Sequence, residues 1–121
     1  MNEYRILVVD DEEDLCEILK FNLENEGYEV DTANSAEDAL KMDISTYDLL
    51  LLDVMMGEIS GFKMASMLKK EKKTAKIPII FITAKDTEND TVTGFNIGAD
   101  DYISKPFSLR EVAARVKAVL R

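Results

Sequence analysis

Five polar side chains stand out because each follows a short apolar run of the kind that forms a buried strand. They comprise three carboxylates, a hydroxyl and an ammonium group: Asp10, Asp11, Asp53, Thr83 and Lys105. Three neighbouring carboxylates repel one another, and a divalent cation relieves that repulsion. Oxygen ligands without His or Cys favour Mg²⁺ over Zn²⁺. A lysine and a hydroxyl group beside such an ion would complete a phosphoryl-transfer site in which a carboxylate accepts the phosphoryl group.

Each of these residues also has an ordinary structural interpretation when it is taken alone. An aspartate after a strand often caps the next helix, as Asp10 or Asp11 could. Asp53 could lie in a turn, and Lys105 could be a solvated surface lysine. The functional interpretation therefore depends on a fold that brings all five side chains to one place.

The elements that would position these residues alternate regularly along the chain. Strands are predicted by the apolar runs at 6–9, 28–33, 49–52, 78–82 and 102–105. Amphipathic segments follow them, so the pattern predicts an α/β fold, a doubly wound (βα)5 parallel sheet of five strands with helices on both faces. Ligands of such sheets bind at the carboxyl ends of the strands, where the polar residues stand.

Capping residues and glycines mark where the predicted helices begin and end. The first helix is expected to stop near Gly27, and the second to begin at Ser35. The third and fourth helices are predicted over 61–73 and about 87–97. The fifth is expected to begin with a capping box formed by Ser108 and Glu111.

Composition and charge exclude several classes of function. The chain has 121 residues, the size of one domain, which is predicted at 1–121. Its net charge of −9 is unlike that of a nucleic-acid-binding domain and would be repelled by an anionic membrane. The absence of His excludes imidazole catalysis, and a single cysteine, Cys16, excludes an internal disulfide. No apolar run is long enough to span a bilayer, so we expect a cytoplasmic protein.

Four motifs carry a resemblance to a known family. They are ILVVDD at 6–11, LLLDVMM at 50–56, FITAK at 81–85 and GADDYISKPF at 98–107. In this order and spacing they resemble the receiver domain of two-component response regulators, over about residues 4–121. The last motif and the helix after it are most similar to the subfamily that carries a C-terminal winged-helix DNA-binding domain. The resemblance implies a flavodoxin-like fold with strand order 2-1-3-4-5.

The resemblance also assigns roles at the acidic site. Asp53 would accept a phosphoryl group from a sensor histidine kinase in a Mg²⁺-dependent reaction. Asp11 and Asp53 would ligate the metal together with the backbone carbonyl of Met55, and Asp10 would act through water. Lys105 would contact the phosphoryl group, and the peptide bond between it and Pro106 is expected to be cis.

The family's switch residues have counterparts in this chain. Thr83 would turn its hydroxyl group towards the phosphoryl group, and Tyr102 would follow by turning inward. The face built from the fourth helix, fifth strand and fifth helix would then change its packing and control an output, which in this subfamily is transcription. Such a domain is a phosphoacceptor switch with possible self-dephosphorylation rather than an enzyme. This domain alone is not expected to bind DNA, which would need a C-terminal domain outside the sequence.

Two segments depart from the family's pattern. The loop after Asp53 reads GEISG at 57–61, where the family usually has Pro-Gly-x-Asp-Gly. We therefore expect a looser loop, with an additional negative charge from Glu58. The predicted fourth helix has no Lys or Arg, whereas dimers of this subfamily use a salt bridge from a basic residue there.

The missing basic residue bears on self-association. Glu111 would lack its partner across the dimer, whereas Asp100 or Asp101 could still pair with Arg115. Single surface ion pairs contribute little to association. We therefore expect a weak homodimer that phosphorylation favours.

Three alternative functions share parts of the pattern. A haloacid-dehalogenase-like phosphatase needs a second aspartate two residues after its nucleophile, where this chain has Glu12 and Met55. A flavodoxin-like cofactor carrier needs a Ser- and Thr-rich loop after the first strand, where this chain has acidic residues at 11–14. A receiver fold without receiver chemistry would usually lack Asp53 or Lys105, and both are present.

Overall fold

The computed structural model describes residues 4–121, which form a five-stranded parallel sheet flanked by helices. The strands, in the spatial order β2-β1-β3-β4-β5, are β1 (Arg5–Val9), β2 (Glu29–Ala33), β3 (Leu49–Leu52), β4 (Ile79–Thr83) and β5 (Asp101–Ser104). The helices are α1 (Glu13–Asn25), α2 (Ala36–Leu40), α3 (Gly61–Lys69), α4 (Glu88–Ile97) and α5 (Leu109–Leu120), with a 3-10 turn at Ile44–Thr46. The predicted flavodoxin-like fold and strand order are confirmed. Residues 1–3 of the predicted domain lie outside the described part.

The strand register aligns the residues that follow the central strands. Val9 pairs with Ala33 on one side and with Leu52 on the other. Leu52 in turn pairs with Phe81 of β4, so the central strands run level. No residue of β3 is more than 1% exposed, as its unbroken apolar sequence predicts for a strand covered on both faces. The residues that follow these strands therefore emerge at one edge of the sheet.

Helices cover both faces of the sheet. Alternate strand residues point to opposite faces, which separates the core into two clusters. One cluster joins Leu7, Leu50 and Phe81 to the buried residues of α2 and α3, with Ile97 of α4 packed against it. The other joins Ile6 and its neighbours to the buried residues of α1 and α5. No helix within residues 4–121 combines the length and apolar character needed to cross a membrane.

Hydroxyl groups cap four of the helices. The side chains of Ser35, Ser60, Thr87 and Ser108 each accept a hydrogen bond from the backbone N–H three residues later. The predicted capping box at Ser108 is half formed, because the side chain of Glu111 pairs with Arg115 instead. A complete capping box occurs at the start of α4, between Thr87 and Asp90. The predicted stop of α1 is confirmed, since the helix ends at Asn25 and Gly27 adopts a φ of 99°.

Helix α3 ends four residues earlier than predicted. The expected helix over 61–73 stops at Lys69. The side chain of Thr74 donates to the backbone carbonyl of Leu68 at 2.6 Å, and Lys69 Nζ donates to the carbonyls of Ala75 and Ile77 at 3.1 and 3.0 Å. These side-chain bonds hold residues 70–77 in turns instead of a continued helix.

Candidate functional site

Two buried aspartates lie side by side at the carboxyl edge of the sheet. Asp10 directly follows β1 and Asp53 directly follows β3. The backbone N–H of Asp53 donates to the carbonyl of Val9 at 3.0 Å, which continues the pairing of the two strands to the site. Asp10 is 3% exposed and Asp53 is 5% exposed. Two carboxylates are therefore held together with little water, an arrangement that needs a cation.

Each of these carboxylates is oriented by the loop that follows it. Oδ1 of Asp10 accepts from the N–H of Glu12 at 3.0 Å. Oδ1 of Asp53 accepts from the N–H of Met55 at 3.1 Å. One oxygen of each side chain is thus occupied by the backbone, and the other is available to a cation.

Lys105 joins the two aspartates. Its Nζ donates to Oδ2 of Asp10 at 2.9 Å and to Oδ2 of Asp53 at 3.0 Å, and also to Oε2 of Glu12 at 2.9 Å. Lys105 directly follows β5, and its backbone N–H donates to the carbonyl of Thr83. The predicted cis peptide bond between Lys105 and Pro106 is present.

The shared ammonium group does not fully offset the cost of burying the Asp10 carboxylate. Burial, together with the charge of Asp53, raises the pKa of Asp10 to about 6, although the N–H of Glu12 and the ammonium of Lys105 act in the opposite direction. Burial lowers the pKa of Lys105, but its hydrogen bonds to the three carboxylates outweigh burial and raise that pKa above its ordinary value. The site therefore holds excess negative charge.

Three carboxylates are close enough to share a metal ion. Oxygens of Asp10, Asp11 and Asp53 all lie within 4.8 Å of one another, and Asp11 is exposed to solvent. An all-oxygen set with an open side fits Mg²⁺, which keeps several waters and binds through one or two carboxylates. The structure thus brings together the carboxylates predicted as ligands. The predicted roles of the Met55 carbonyl and of water at Asp10 remain predictions.

The two predicted switch residues meet at one backbone segment. Thr83, fully buried at the end of β4, accepts a hydrogen bond from the N–H of Lys85 through Oγ1 at 3.2 Å. The hydroxyl of Tyr102 donates to the carbonyl of the same Lys85. The Tyr102 ring lies 5.8 Å from that of Phe81, so it already packs against the core in this structure.

The loop after Asp53 contains a glycine that sequence reasoning did not single out. A Cβ at Gly61 would lie 2.0 Å from the backbone carbonyl oxygen of Asp53, so only glycine fits there. The N–H of Gly61 donates to the carbonyl of Val54 at 2.9 Å. Helix α3 therefore begins directly against the backbone of Asp53. The departures in the loop, Gly57 and Glu58, lie on its exposed side.

Glu12 is the other site residue that sequence reasoning missed. Its position after the acidic pair suggested only an acidic loop, and its contact with Lys105 joins residues 93 positions apart. This contact depends on the path of the loop after β1, which brings Glu12 to the ammonium group of the residue that follows β5.

The charged residues of the predicted dimer face are paired within the chain. Arg115 contacts Asp101 at 2.9 Å and Glu111 at 3.3 Å. Asp100, the alternative partner of Arg115, instead accepts from the N–H of Ile79 at 3.1 Å. A dimer that uses Arg115 would have to exchange or share these internal contacts.

Comparisons with known proteins agree with this geometry. Residues 6–117 match the family described as response regulator receiver domain. The chain is 50% identical over 118 residues to the alkaline phosphatase synthesis transcriptional regulatory protein PhoP of Bacillus subtilis, covering 97% of this chain and 48% of the relative. It is 46% identical over 121 residues to the transcriptional regulatory protein ResD of the same organism, covering 99% and 49%. The chain thus spans about half the length of these curated relatives.

Solved structures show the same fold. The non-phosphorylated HemR receiver domain of Leptospira biflexa superposes with a TM-score of 0.89 at 36% identity, covering 97% of this chain and 94% of the other. A two-component response regulator of Clostridium difficile superposes with a TM-score of 0.89 at 32% identity, covering 98% and 96%. Members of this family are phosphorylated on an aspartate and bind Mg²⁺ at an acidic pocket. The chain belongs to the response regulator receiver domain family of two-component signalling.

Proposed function

We propose that Asp53 is the residue that accepts the phosphoryl group. The observation that carries this assignment is its position: Asp53 follows the central strand β3, and one of its oxygens lies 3.0 Å from Lys105 Nζ. Asp10 lies on one side of it, after β1, and Thr83 lies on the other, at the end of β4. Of the three clustered carboxylates, Asp53 alone follows the strand that lies between β1, which leads into Asp10 and Asp11, and β4, which ends in the predicted switch residue Thr83.

The transfer is a displacement at phosphorus. A carboxylate oxygen of Asp53 attacks the phosphohistidine of a sensor histidine kinase, forming a P–O bond while the P–N bond breaks and its electron pair returns to the imidazole. Lys105 contacts a phosphoryl oxygen, and the hydroxyl of Thr83 donates to another. Asp11, Asp53 and the carbonyl of Met55 would hold Mg²⁺ directly and Asp10 through water. The bound ion would neutralise charge on the phosphoryl oxygens.

The consequence of transfer is a change of charge at a buried position. A phosphoryl group replaces one negative charge with about two, which draws Thr83 and Lys105 towards it. When the Thr83 hydroxyl turns, the N–H of Lys85 loses its acceptor. Because the Tyr102 hydroxyl donates to the carbonyl of the same Lys85, a change at Lys85 also reaches Tyr102. The α4–β5–α5 face then shifts between two packings, as a change of populations. The acyl phosphate later hydrolyses, with the domain itself assisting, and the switch resets.

The output that we propose is control of transcription. The support is the naming of the relatives as transcriptional regulatory proteins. Residues 1–121 would form the receiver domain, acting in the cytoplasm, and a C-terminal domain outside it would bind DNA. With a net charge of −9, the receiver alone lacks the basic surface that DNA binding needs.

The deciding experiment is the intact mass after incubation with Mg²⁺ and acetyl phosphate. We expect the addition of one phosphoryl group, which is absent from Asp53→Asn and from a sample treated with a chelator. Asp14→Asn, which changes an exposed aspartate in the first turn of α1, is the matched control and should be labelled like the wild type. Labelling of Asp53→Asn to the same extent would contradict the assignment.

Self-association is tested separately. We propose that phosphorylation favours a weak homodimer through α4–β5–α5, in which the Arg115 contacts rearrange. Sedimentation at high micromolar concentration should show a dimer for the phosphorylated protein and a smaller fraction for the unphosphorylated protein. A strictly monomeric phosphorylated protein would rule this dimer out.

A further inference from the structure

Helix α4 contacts strand β5 at a position where it has no side chain. A Cβ at Gly94 would lie 2.9 Å from Cδ2 and Cε2 of Tyr102 and 3.2 Å from Cδ2 of Phe81. A separation of 2.9 Å is shorter than van der Waals contact allows, and the atoms that the Cβ would meet belong to the aromatic rings of Tyr102 and Phe81. The space that an alanine would need is occupied by the Tyr102 ring.

The backbone does not itself require glycine at this position. Gly94 lies inside α4, three residues before its end, and it is not among the residues with positive φ. A glycine in a helix interior is less favourable than alanine by about fivefold in the folding equilibrium constant. The reason for glycine at 94 is therefore the space it leaves for Tyr102.

The position of that ring decides which contacts the switch can make. With the ring against Gly94 and Phe81, the Tyr102 hydroxyl reaches the carbonyl of Lys85. The N–H of Lys85 is in turn bonded to Thr83 Oγ1. A side chain at 94 would move the Tyr102 ring. The hydrogen bond from the Tyr102 hydroxyl to the Lys85 carbonyl, which joins β5 to the β4–α4 loop, would then be lost.

We propose that Gly94 is a positioning residue of the switch: the absence of its side chain forms the seat for the Tyr102 ring that links Thr83 and Lys85 to helix α4. The regulatory part of this inference rests on the proposed phosphorylation of Asp53. In the proposed switch Tyr102 is turned inward when Asp53 is phosphorylated, so the seated ring is the arrangement that phosphorylation favours. Because coupling between two sites is reciprocal, a change that disfavours the seated ring also disfavours the phosphorylated state.

The seat is tested by a double-mutant cycle in unfolding experiments, which needs no phosphorylation. In the wild-type background, Gly94→Ala should give no gain in stability or a loss. In a Tyr102→Ala background, the same change should recover most of the gain, about fivefold in the folding equilibrium constant, that alanine brings to a helix. Tyr102→Phe keeps the ring, so Gly94→Ala should remain unfavourable there. An equal gain in all three backgrounds would overturn the inference.

The regulatory role is tested by labelling and by the aromatic NMR signals of Tyr102. In the wild type, phosphorylation with acetyl phosphate should perturb these signals less than in Gly94→Ala, where the ring starts outside its seat. Gly94→Ala should also be labelled several-fold more slowly. Thr93→Ala, an exposed change on the same helix, is the control and should match the wild type in both. Identical labelling rates and Tyr102 signals in Gly94→Ala and the wild type would refute a role in the switch. A wild type that cannot be labelled at Asp53 would refute the proposed function, while the unfolding cycle would still decide whether the seat exists.

Discussion

At the scale of single residues, Lys105 is the centre of the site. Its ammonium group contacts three carboxylates at 2.9 to 3.0 Å, from Asp10, Glu12 and Asp53. Glu12 is the most exposed of the three, with 63% of its side chain accessible. It holds the ammonium group without belonging to the acidic cluster that could bind a metal.

We therefore expect Glu12→Gln to be phosphorylated faster than the wild type, because Lys105 is then shared between fewer carboxylates and is freer to meet a phosphoryl oxygen. An exposed ion pair of this kind contributes up to about 1 kcal/mol, so the initial rate should rise by about two- to fivefold. The rate is read from intact mass with acetyl phosphate. Glu13→Gln removes the same charge one residue later, and an equal acceleration there would show that net charge alone is responsible.

Asp10 supplies a pH-dependent contribution to stability. Its pKa is raised from 3.8 to about 6 by burial, so the folded protein takes up a proton more readily than the unfolded chain. The contribution of this group is fully present below about pH 4 and is lost as the pH rises through about 6. An asparagine at this position stays neutral at every pH.

Asp10→Asn should therefore be more stable than the wild type at pH 7, by roughly 1–3 kcal/mol, with the difference shrinking towards pH 4. Urea unfolding between pH 4 and 7.5, without divalent cations, measures it. Asp86→Asn, an exposed change in the β4–α4 loop, should leave the pH profile unchanged. A constant difference between Asp10→Asn and the wild type across this range would contradict the expectation.

At the scale of elements, the strands could be predicted and some helix ends could not. Unbroken apolar runs define β1, β3 and β4 to within one residue, because a strand buried on both faces has few alternatives. The early end of α3 depends on side chains of Lys69 and Thr74 that fold back onto later or earlier carbonyls. Those bonds need the tertiary structure, and no helical periodicity reveals them.

The same limit applies to the candidate site. Strand ends predicted which side chains would meet, because parallel strands in register place their carboxyl ends at one edge. The contact of Glu12 with Lys105 and the close approach of Gly61 to Asp53 depend on loop paths, which local sequence does not determine. Of the residues that meet at the site, those at the carboxyl ends of the strands were therefore found, and those whose contacts depend on the loops were missed.

Helix α4 buries few of its residues and begins with a complete capping box. Gly94 is its one buried residue, and Val92 and Phe95 are 51% and 46% exposed. The capping box of Thr87 and Asp90 fixes its first turn. A helix with so little buried surface opens locally at low free energy.

Thr87→Ala should accordingly weaken α4 by about 1 kcal/mol and speed amide hydrogen exchange within Glu88–Ile97 by about fivefold. Exchange elsewhere in the chain should stay unchanged. Ser108→Ala removes the corresponding cap from α5, whose Val112 and Val116 are buried, and exchange there should respond less. If both caps had equal effects on their helices, packing would not be what separates α4 from α5.

At the scale of the whole molecule, a strongly negative chain brings three of its carboxylates together at one edge of the sheet. The net charge is −9, and three of the acidic groups converge within 4.8 Å at the edge of the sheet. A cation bound there stabilises the folded state by mass action, since the unfolded chain has no such cluster. Stability should thus depend on divalent cations even without phosphorylation.

We expect Mg²⁺ at about 100 times its dissociation constant to increase the free energy of unfolding by about 2.7 kcal/mol, and a chelator to reverse the gain. Thermal unfolding across a Mg²⁺ titration measures the effect. Asp11→Asn should abolish most of it, whereas Asp14→Asn should retain it. A gain of equal size in Asp11→Asn would mean that the ion acts by general screening.

The close contact between Gly61 and the Asp53 carbonyl separates the surfaces from which a partner protein could and could not detect phosphorylation. Because this contact fixes the start of α3 against Asp53, the proposed acceptor, we expect the α3 surface to be the same in the unphosphorylated and phosphorylated forms. We expect the neighbouring surface of α4 and β5, where Gly94 packs against the Tyr102 ring, to differ between the two forms. A partner protein that binds α3 would then bind both forms equally, whereas one that contacts α4 or β5 would bind the two forms with different affinities.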